Sequence, residues 1–181
     1  KLEDEIKTNT KEIITKLNNE GYNTYLISGD SYNKCEIINK KLKFTDFFYE
    51  QKPENKLKKI EELNNLNPTA MLGDGINDAP ALSRAFIGIS LASASQIAIQ
   101  SSDVILLNKN NLNQLNKALK ISRYTLRTIK QNLFWAFSYN LIAIPIACLG
   151  YLNPMWAALF MAFSDVVVVR NSVRLKFKKI F

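Results

Sequence analysis

The sequence contains no histidine and only two cysteines, Cys35 and Cys148, which lie far apart in its 181 residues. Without histidine, no imidazole is available as a metal ligand. The cysteines form no C-x-x-C pair, so the sequence indicates neither a disulfide framework nor a cysteine-rich metal site. It also lacks an initiator methionine and a visible cleavable signal. We therefore expect a fragment, or a reading frame taken from something larger.

Charge is distributed unevenly along the chain, whose formal net charge is +8. The lysines and arginines concentrate at residues 52–59, 123–130 and 170–179. They are scattered and not interleaved with aromatic residues on one face, which argues against nucleic-acid binding. From Leu133 to Val169 the only charged residue is Asp165. Because two of the three basic clusters flank this apolar segment, the pattern favours a membrane interface, and the main boundary is expected near Gln131.

The most informative stretch is T-A-M-L-G-D-G-I-N-D-A-P-A, residues 69–81. Its apolar start predicts a short buried strand, and its glycines allow a tight turn at the end of that strand. Asp74 and Asp78, with Asn77 between them, are then expected at the carboxyl edge of an α/β sheet, where ligands bind. Paired carboxylates suit a hard cation such as Mg²⁺. A simple Gly/Asn/Asp turn is the structural alternative.

Two further stretches contain residues suited to binding phosphate. Ser28, Gly29 and Asp30 end a predicted strand at 23–27 and precede a predicted helix, so they can offer a hydroxyl and backbone N–H groups to a phosphate. A generic turn and helix cap would look the same. Lys56 follows Pro53 in K-P-E-N-K, where a point cation could neutralise a transferring phosphoryl group. The alternative for Lys56 is a solvated lysine.

The remaining apolar patterns predict alternating helices and strands in the first two thirds of the chain. Helices are expected at 8–19, at 32–41 and from Pro53, and strands at 47–49, 70–72, 87–91 and 104–107. A long helix is expected from Asn111. Such alternation is typical of an α/β fold.

In this order, the strings resemble the motifs of P-type ATPases, ion pumps built on the haloacid-dehalogenase fold. S-G-D resembles their T-G-D motif with Ser28 in the Thr place, and Lys56 matches the lysine of their P-x-x-K string. The resemblance implies that ATP is the substrate, that Lys56, Asp74 and Asp78 are catalytic, and that the two aspartates hold Mg²⁺. It assigns phosphate binding to Ser28, Gly29, Asp30, Lys56 and Asn77. Residues 91–96 depart from the family, because they lack its Gly-rich G-x-G-T/S-D string.

Residues 131–176 predict two transmembrane helices. About 20 predominantly apolar residues are long enough to cross a bilayer, and a second apolar run at 155–169 follows the turn at Asn153 and Pro154. Basic residues precede the first run and follow the second, so both ends are expected in the cytoplasm. Trp135 and Trp156 are compatible with interfacial anchoring. A buried helical hairpin in a soluble protein is the alternative.

The sequence of this hairpin resembles the last two helices of the heavy-metal branch of the family. Tyr139, Asn140, Met161 and Ser164 match residues that line the ion path of its copper exporters. A thioether beside hydroxyl and amide groups fits Cu(I). Asp165, costly at membrane depth, is expected in the same path or paired with Arg170. Because zinc, cadmium and lead pumps carry an aspartate in their last helix, Zn²⁺ and Cd²⁺ stay open.

The whole pattern predicts the C-terminal half of a phosphorylation domain at 1–115, a linking helix at 116–130, the two membrane helices, and a cytoplasmic tail at 177–181. The sequence has no D-K-T-G-T, so it carries no aspartate that accepts phosphate. In the fold, that strand lies between the S-G-D and G-D-G-I-N-D strands, and its absence would leave both with unpaired backbone groups.

We therefore expect the chain alone to be poorly stable and inactive, and to work as part of an ATP-driven Cu(I) exporter in the cell membrane. Its expected partners are the bilayer, the actuator and nucleotide-binding domains, the upstream helices and a metal chaperone. The alternatives are a soluble haloacid-dehalogenase-like phosphatase and a non-catalytic membrane fragment that docks on a full pump.

Overall fold

A computed structural model describes residues 6, 9–107, 112–150 and 153–177. The chain divides into two compact units, Lys1–Asn116 and Lys117–Phe181. The predicted boundary at Gln131 falls inside one unbroken helix, so the predicted linking helix and first membrane helix are a single element. The predicted start of the first helix at Thr8 and the tail from residue 178 lie outside the described residues.

The first unit alternates helices and strands, as predicted for an α/β fold. Its elements are α1 Thr10–Asn19, β1 Tyr25–Ile27, α2 Tyr32–Leu42, β2 Asp46–Phe48, α3 Pro53–Leu66, β3 Ala70–Gly73, a 3-10 turn Ile76–Asp78, α4 Ala79–Arg84, β4 Ile87–Leu91, α5 Gln96–Gln100 and β5 Val104–Leu106. Local sequence accounts for several boundaries. Pro53 begins α3 in the first turn, where its missing N–H costs nothing. Ser95 caps α5 by accepting a hydrogen bond from the Ala98 N–H.

The strands form two parallel sheets. β1 pairs with β2, and the second sheet has the order β3-β4-β5. In the second sheet Ala70 lies opposite Ile87, and Ile89 opposite Val104. Among the described residues, β1 and β3 each have a hydrogen-bonded neighbour on one side only. These are the two strands expected to flank a missing strand.

The core of the first unit lies where α1 covers β4 and β5. Its buried cluster consists of Ile13, Ile89, Leu91, Leu106 and Leu112. On the other side of the sheet, α4 buries Ala81 and Leu82 completely. Gly88 allows this close packing, because a Cβ there would lie 2.6 Å from the Leu82 carbonyl oxygen. The apolar residues thus fix the second sheet and hold the end of β3 in place.

The second unit is built from two long helices, α6 Asn113–Cys148 and α7 Pro154–Phe177. The Asn171 amide donates to Asn132 Oδ1 at 2.8 Å, and the Asn132 amide donates to Ser172 Oγ at 2.8 Å. Since the chain reverses between Cys148 and Pro154, these contacts make the helices antiparallel. Polar side chains therefore fix the register of the pair.

Neither long helix meets the prediction of a transmembrane hairpin. Among the described residues, no helix combines the length and the apolar composition that crossing a membrane requires. Tyr139 and Asn140 lie within the apolar stretch of α6, and Ser164 and Asp165 lie within that of α7.

Candidate functional site

The loop after β1 holds Ser28, Gly29 and Asp30 in a network of hydrogen bonds. Ser28 Oγ donates to Asp30 Oδ2 at 2.8 Å, and the Asp30 N–H donates to Ser28 Oγ at 3.2 Å. Lys34 Nζ donates to Asp30 Oδ1 at 2.8 Å. The hydrogen bond from Lys34, followed by that from Ser28, lowers the pKa of Asp30. The loop therefore presents an ionised carboxylate that orients the Ser28 hydroxyl.

The loop after β3 folds back on itself through Asp78. The Asp78 N–H donates to the Gly75 carbonyl at 3.1 Å, and the Gly75 N–H donates to Asp78 Oδ2 at 3.4 Å. A Cβ on Gly73 would lie 2.9 Å from the Asp78 Cβ, so only glycine fits there. Asp74 and Asn77 are exposed on the same loop. The two predicted metal ligands thus lie on one short turn at the end of a parallel strand.

Lys56 contacts the loop after β3 and acts electrostatically on the loop after β1. From the first turns of α3, its Nζ donates to Asp78 Oδ1 at 2.8 Å. The side chains of Lys56 and Asp78 are only 16% and 15% exposed, so this pair is largely shielded from water. The positive charge of Lys56 also contributes, after the hydrogen bonds from Lys34 and Ser28, to the lowered pKa of Asp30. The predicted residues Ser28, Asp30, Lys56 and Asp78 therefore share one electrostatic environment.

The chemistry of these donors fits a hard cation. Asp74 and Asp78 supply carboxylate oxygens, the ligands that Mg²⁺ prefers. In the part of the chain that the structure describes, no group of three or more His, Cys, Asp or Glu side chains could hold a metal ion. A Mg²⁺ ion here would therefore need oxygens from water or from a phosphate to complete its coordination.

Sequence reasoning missed two residues that support the site. Ser95 donates its backbone N–H to the Asp74 carbonyl at 3.1 Å, so the loop at 91–96 braces the carboxylate loop without the family's glycines. The sequence did indicate Ser95 as a helix N-cap, because a serine before Q-I-A-I is typical of that position. Lys34, which pairs with Asp30, had only the i, i+4 spacing to indicate it.

In the second unit, three of the predicted ion-path residues lie together. They line a cavity of about 280 Å³, whose full lining is Tyr139, Asn140, Ala143, Ile144, Ala147, Ala158 and Met161. Ser164 and Asp165 are not among its lining residues. The structure thus places a thioether beside a phenol and an amide, and it does not bring all five predicted residues to one cavity.

The comparisons first define the class of protein. Residues 1–85 match the family of haloacid dehalogenase-like hydrolases. The probable copper-importing P-type ATPase A of Enterococcus hirae is 41% identical over 180 residues, which cover 98% of this chain and 25% of that protein. The copper-exporting P-type ATPase of Bacillus subtilis is 41% identical over 174 residues, which cover 96% of this chain and 22% of that protein.

A solved structure gives the same result for the fold. The crystal structure of a zinc-transporting PIB-type ATPase in its E2.Pi state matches 96% of this chain and 28% of its own, with a TM-score of 0.90 and 32% identity. Over nearly its whole length the chain is similar to heavy-metal P-type ATPases, the family that its motifs resemble. It spans about a quarter of the length of the curated relatives it matches.

Proposed function

We propose that this chain is the C-terminal part of an ATP-driven Cu(I) transporter. The observation that carries the proposal is the shielded contact between Lys56 and Asp78, which joins the lysine at the start of α3 to the loop after β3, two stretches that resemble phosphoryl-transfer motifs. Among the relatives, those with copper in their names match nearly the whole chain, including both long helices. A soluble phosphatase is less well supported, because phosphatase activity does not require the two long helices of the second unit. The names of the relatives include both import and export, and export is the direction we expect.

The proposed chemistry is positioning and charge neutralisation around a phosphoryl group. Ser28, the Gly29 backbone and Lys56 contact the phosphate, while Asp30 orients the Ser28 hydroxyl. Asp74 and Asp78 hold Mg²⁺, and Asn77 supports their loop. When bound, the ion neutralises charge on the phosphoryl oxygens. ATP is the phosphoryl donor, and the acceptor is an aspartate on another part of the pump.

The one-sided strands β1 and β3 support this placement of the acceptor. Each has a free edge among the described residues, and Lys56, which contacts Asp78 in the loop after β3, also acts electrostatically on Asp30 in the loop after β1. A strand between them would present its own carboxyl end to the same loops, as parallel strands do. We propose that the upstream part of the pump supplies that strand together with the actuator and nucleotide-binding domains.

For the transported ion, the cavity lined by Tyr139, Asn140 and Met161 is the proposed site in the path. Its thioether is a soft ligand, which favours Cu(I) over Zn²⁺. Ser164 and Asp165 are proposed as further polar positions along the path, outside this cavity. Zn²⁺ is the second candidate, because the structure with a TM-score of 0.90 is of a zinc-transporting ATPase. A metal chaperone is the proposed donor of the ion.

In the proposed pump, α6 and α7 lie in the cell membrane against further helices. The N-terminal end of α6 and the C-terminal end of α7 lie in the cytoplasm. The polar residues that lower their apolar character are the ones assigned to the ion path, where polar groups are expected to face protein or cavity. Recovery in the membrane fraction after alkaline carbonate extraction tests this placement. Release into the supernatant would contradict it.

The test of the function is metal-stimulated ATP hydrolysis in membranes by the protein that joins this chain to its upstream sequence. We expect stimulation by Cu(I) above that by Zn²⁺, and its loss in Asp74→Asn. Asp46→Asn is the matched control, because Asp46 is an exposed carboxylate on β2 away from these loops. A rate of ATP hydrolysis that changes neither on addition of the metal nor in Asp74→Asn would refute the proposal. Hydrolysis of phosphate monoesters by the chain alone would favour a phosphatase.

A further inference from the structure

A second cavity, with a polar lining, lies between α6 and α7, away from the cavity assigned to the ion path. It has a volume of about 240 Å³ and a lining that is almost entirely polar. We call it the basic cleft, and its polar lining residues are Tyr124, Arg127, Thr128, Gln131, Asn171 and Arg174. Two guanidinium groups, one from each helix, therefore border one concave space.

Among the described residues, no ion pair joins a carboxylate to either arginine of the basic cleft. Asp165 is the only acidic residue in the sequence after Asp103. It lies nine positions before Arg174 on α7, which corresponds to about 13 Å along the helix. Two like charges around one cavity repel each other, so an anion from outside the chain would stabilise this arrangement.

Hydrogen bonds between the helices hold the walls of the basic cleft in place. Asn171 donates to Asn132 Oδ1 at 2.8 Å and also lies 3.4 Å from Gln131 Oε1. Asn132 in turn donates to Ser172 Oγ at 2.8 Å. Because these contacts fix the spacing and register of α6 and α7, they also limit the separation of the two arginines. The site is therefore organised before any ligand arrives.

We propose that the basic cleft binds a phosphate group through Arg127 and Arg174. Guanidinium forks match phosphate oxygens in pairs, and Arg is the preferred residue for such contacts. The expected source is the headgroup of an anionic phospholipid. Apolar side chains of both helices, including Leu133, Phe134, Val166 and Val169, are exposed in this chain, and acyl chains can lie against those that the further helices of the pump leave uncovered. The choice of a lipid as the source of the phosphate rests on the proposed membrane placement of α6 and α7. The binding of a phosphate group by the two arginines does not depend on that placement.

The test compares two double variants of the full protein purified in detergent. Arg127→Gln/Arg174→Gln removes both guanidinium groups of the basic cleft. Lys130→Gln/Arg170→Gln removes the same net charge from the same two helices, at positions that do not line the cleft. Bound phosphatidylglycerol is counted by native mass spectrometry, with phosphatidylcholine as the uncharged reference. Binding of inorganic phosphate is measured separately by titration calorimetry.

We expect the cleft variant to lower the affinity for phosphatidylglycerol at least about 10-fold, since charge-assisted hydrogen bonds are lost. The control should stay within about twofold, because Lys130 and Arg170 lie outside the lining of the cleft and single surface charges contribute little. If the protein binds inorganic phosphate through these arginines but does not bind the lipid, the cleft is a phosphate site and its ligand is a soluble phosphate compound. Equal losses in both variants, or no loss in the cleft variant, would overturn the proposal. Failure of the transport function would appear instead as absent metal-stimulated hydrolysis in the unmodified protein.

Discussion

Lys56 Nζ and Asp78 Oδ1 lie 2.8 Å apart although 22 positions separate the two residues in the chain. The contact ties α3 to the turn after β3, and the same lysine acts electrostatically on Asp30 in the loop after β1. A partly buried pair of this kind depends on both partners, because removing one leaves a charge shielded from water without a counter-ion.

The first prediction is a coupling between Lys56 and Asp78 in a double-mutant cycle. We expect Lys56→Met and Asp78→Asn each to destabilise the turn, with an interaction free energy of about 1–3 kcal/mol for residues in contact. The readout is hydrogen exchange of the backbone amides at 70–84 in the full protein. The control cycle is Lys34→Met with Asp30→Asn, a pair with the same 2.8 Å distance but 49% and 39% exposed. Equal coupling in both cycles would contradict the role of burial.

The second prediction concerns acid. Hydrogen bonds from Lys34 and then Ser28 hold the pKa of Asp30 below the usual value of an aspartate. A carboxylate with a depressed folded-state pKa contributes stability above its unfolded pKa, and that contribution is lost as pH falls through the folded value. The loop at 28–30 should therefore lose protection from hydrogen exchange as the pH is lowered below about 4. Asp30→Asn should remove this dependence, and an unchanged profile in that variant would show that another group is responsible.

The third prediction concerns Cys35. Its side chain is fully buried, and burial is the main cause that raises the pKa of its thiol. Because the thiolate is the reactive form, N-ethylmaleimide at pH 7 should modify Cys35 at least about 10-fold more slowly in the folded protein than in urea. Peptide mass spectrometry identifies the modified residue. Comparable rates in the two states would mean that α2 does not pack as described.

The fourth prediction concerns Gly88. An added Cβ would lie 2.6 Å from the Leu82 carbonyl oxygen and 3.3 Å from that of Ser101, and backbone atoms cannot easily retreat. We expect Gly88→Ala to cost about 1–3 kcal/mol of stability through overpacking. Gly29→Ala is the control, because its Cβ would meet only the Gln51 carbonyl oxygen at an ordinary 3.5 Å. The thermal unfolding midpoints of the two variants in the full protein give the comparison.

The sequence predicted the parts of the site that depend on local chemistry. Strand β3 and the turn with Gly73 and Gly75 could be placed because an apolar run followed by Gly-Asp-Gly is a local signal. The haloacid-dehalogenase-like fold and the P-type family followed from the order of such signals and are confirmed.

Tertiary contacts could not be predicted in the same way. The contact of Lys56 with Asp78 depends on how α3 packs beside α4, and the brace from Ser95 to the Asp74 backbone depends on how α5 approaches the turn. The boundary expected near Gln131 marks a change in composition, and α6 continues through it without a break in the backbone.

The one-sided strands β1 and β3 also affect how the chain behaves in solution. In the part of the chain that the structure describes, one edge of each strand has no neighbouring strand, and the N–H and C=O groups of such edges can pair with a strand of another molecule. At high concentration, copies of the isolated chain should therefore associate edge to edge. Co-production with a polypeptide that supplies the strand between β1 and β3 would prevent this self-association. The yield of protein that does not self-associate therefore reports whether the added polypeptide provides that strand.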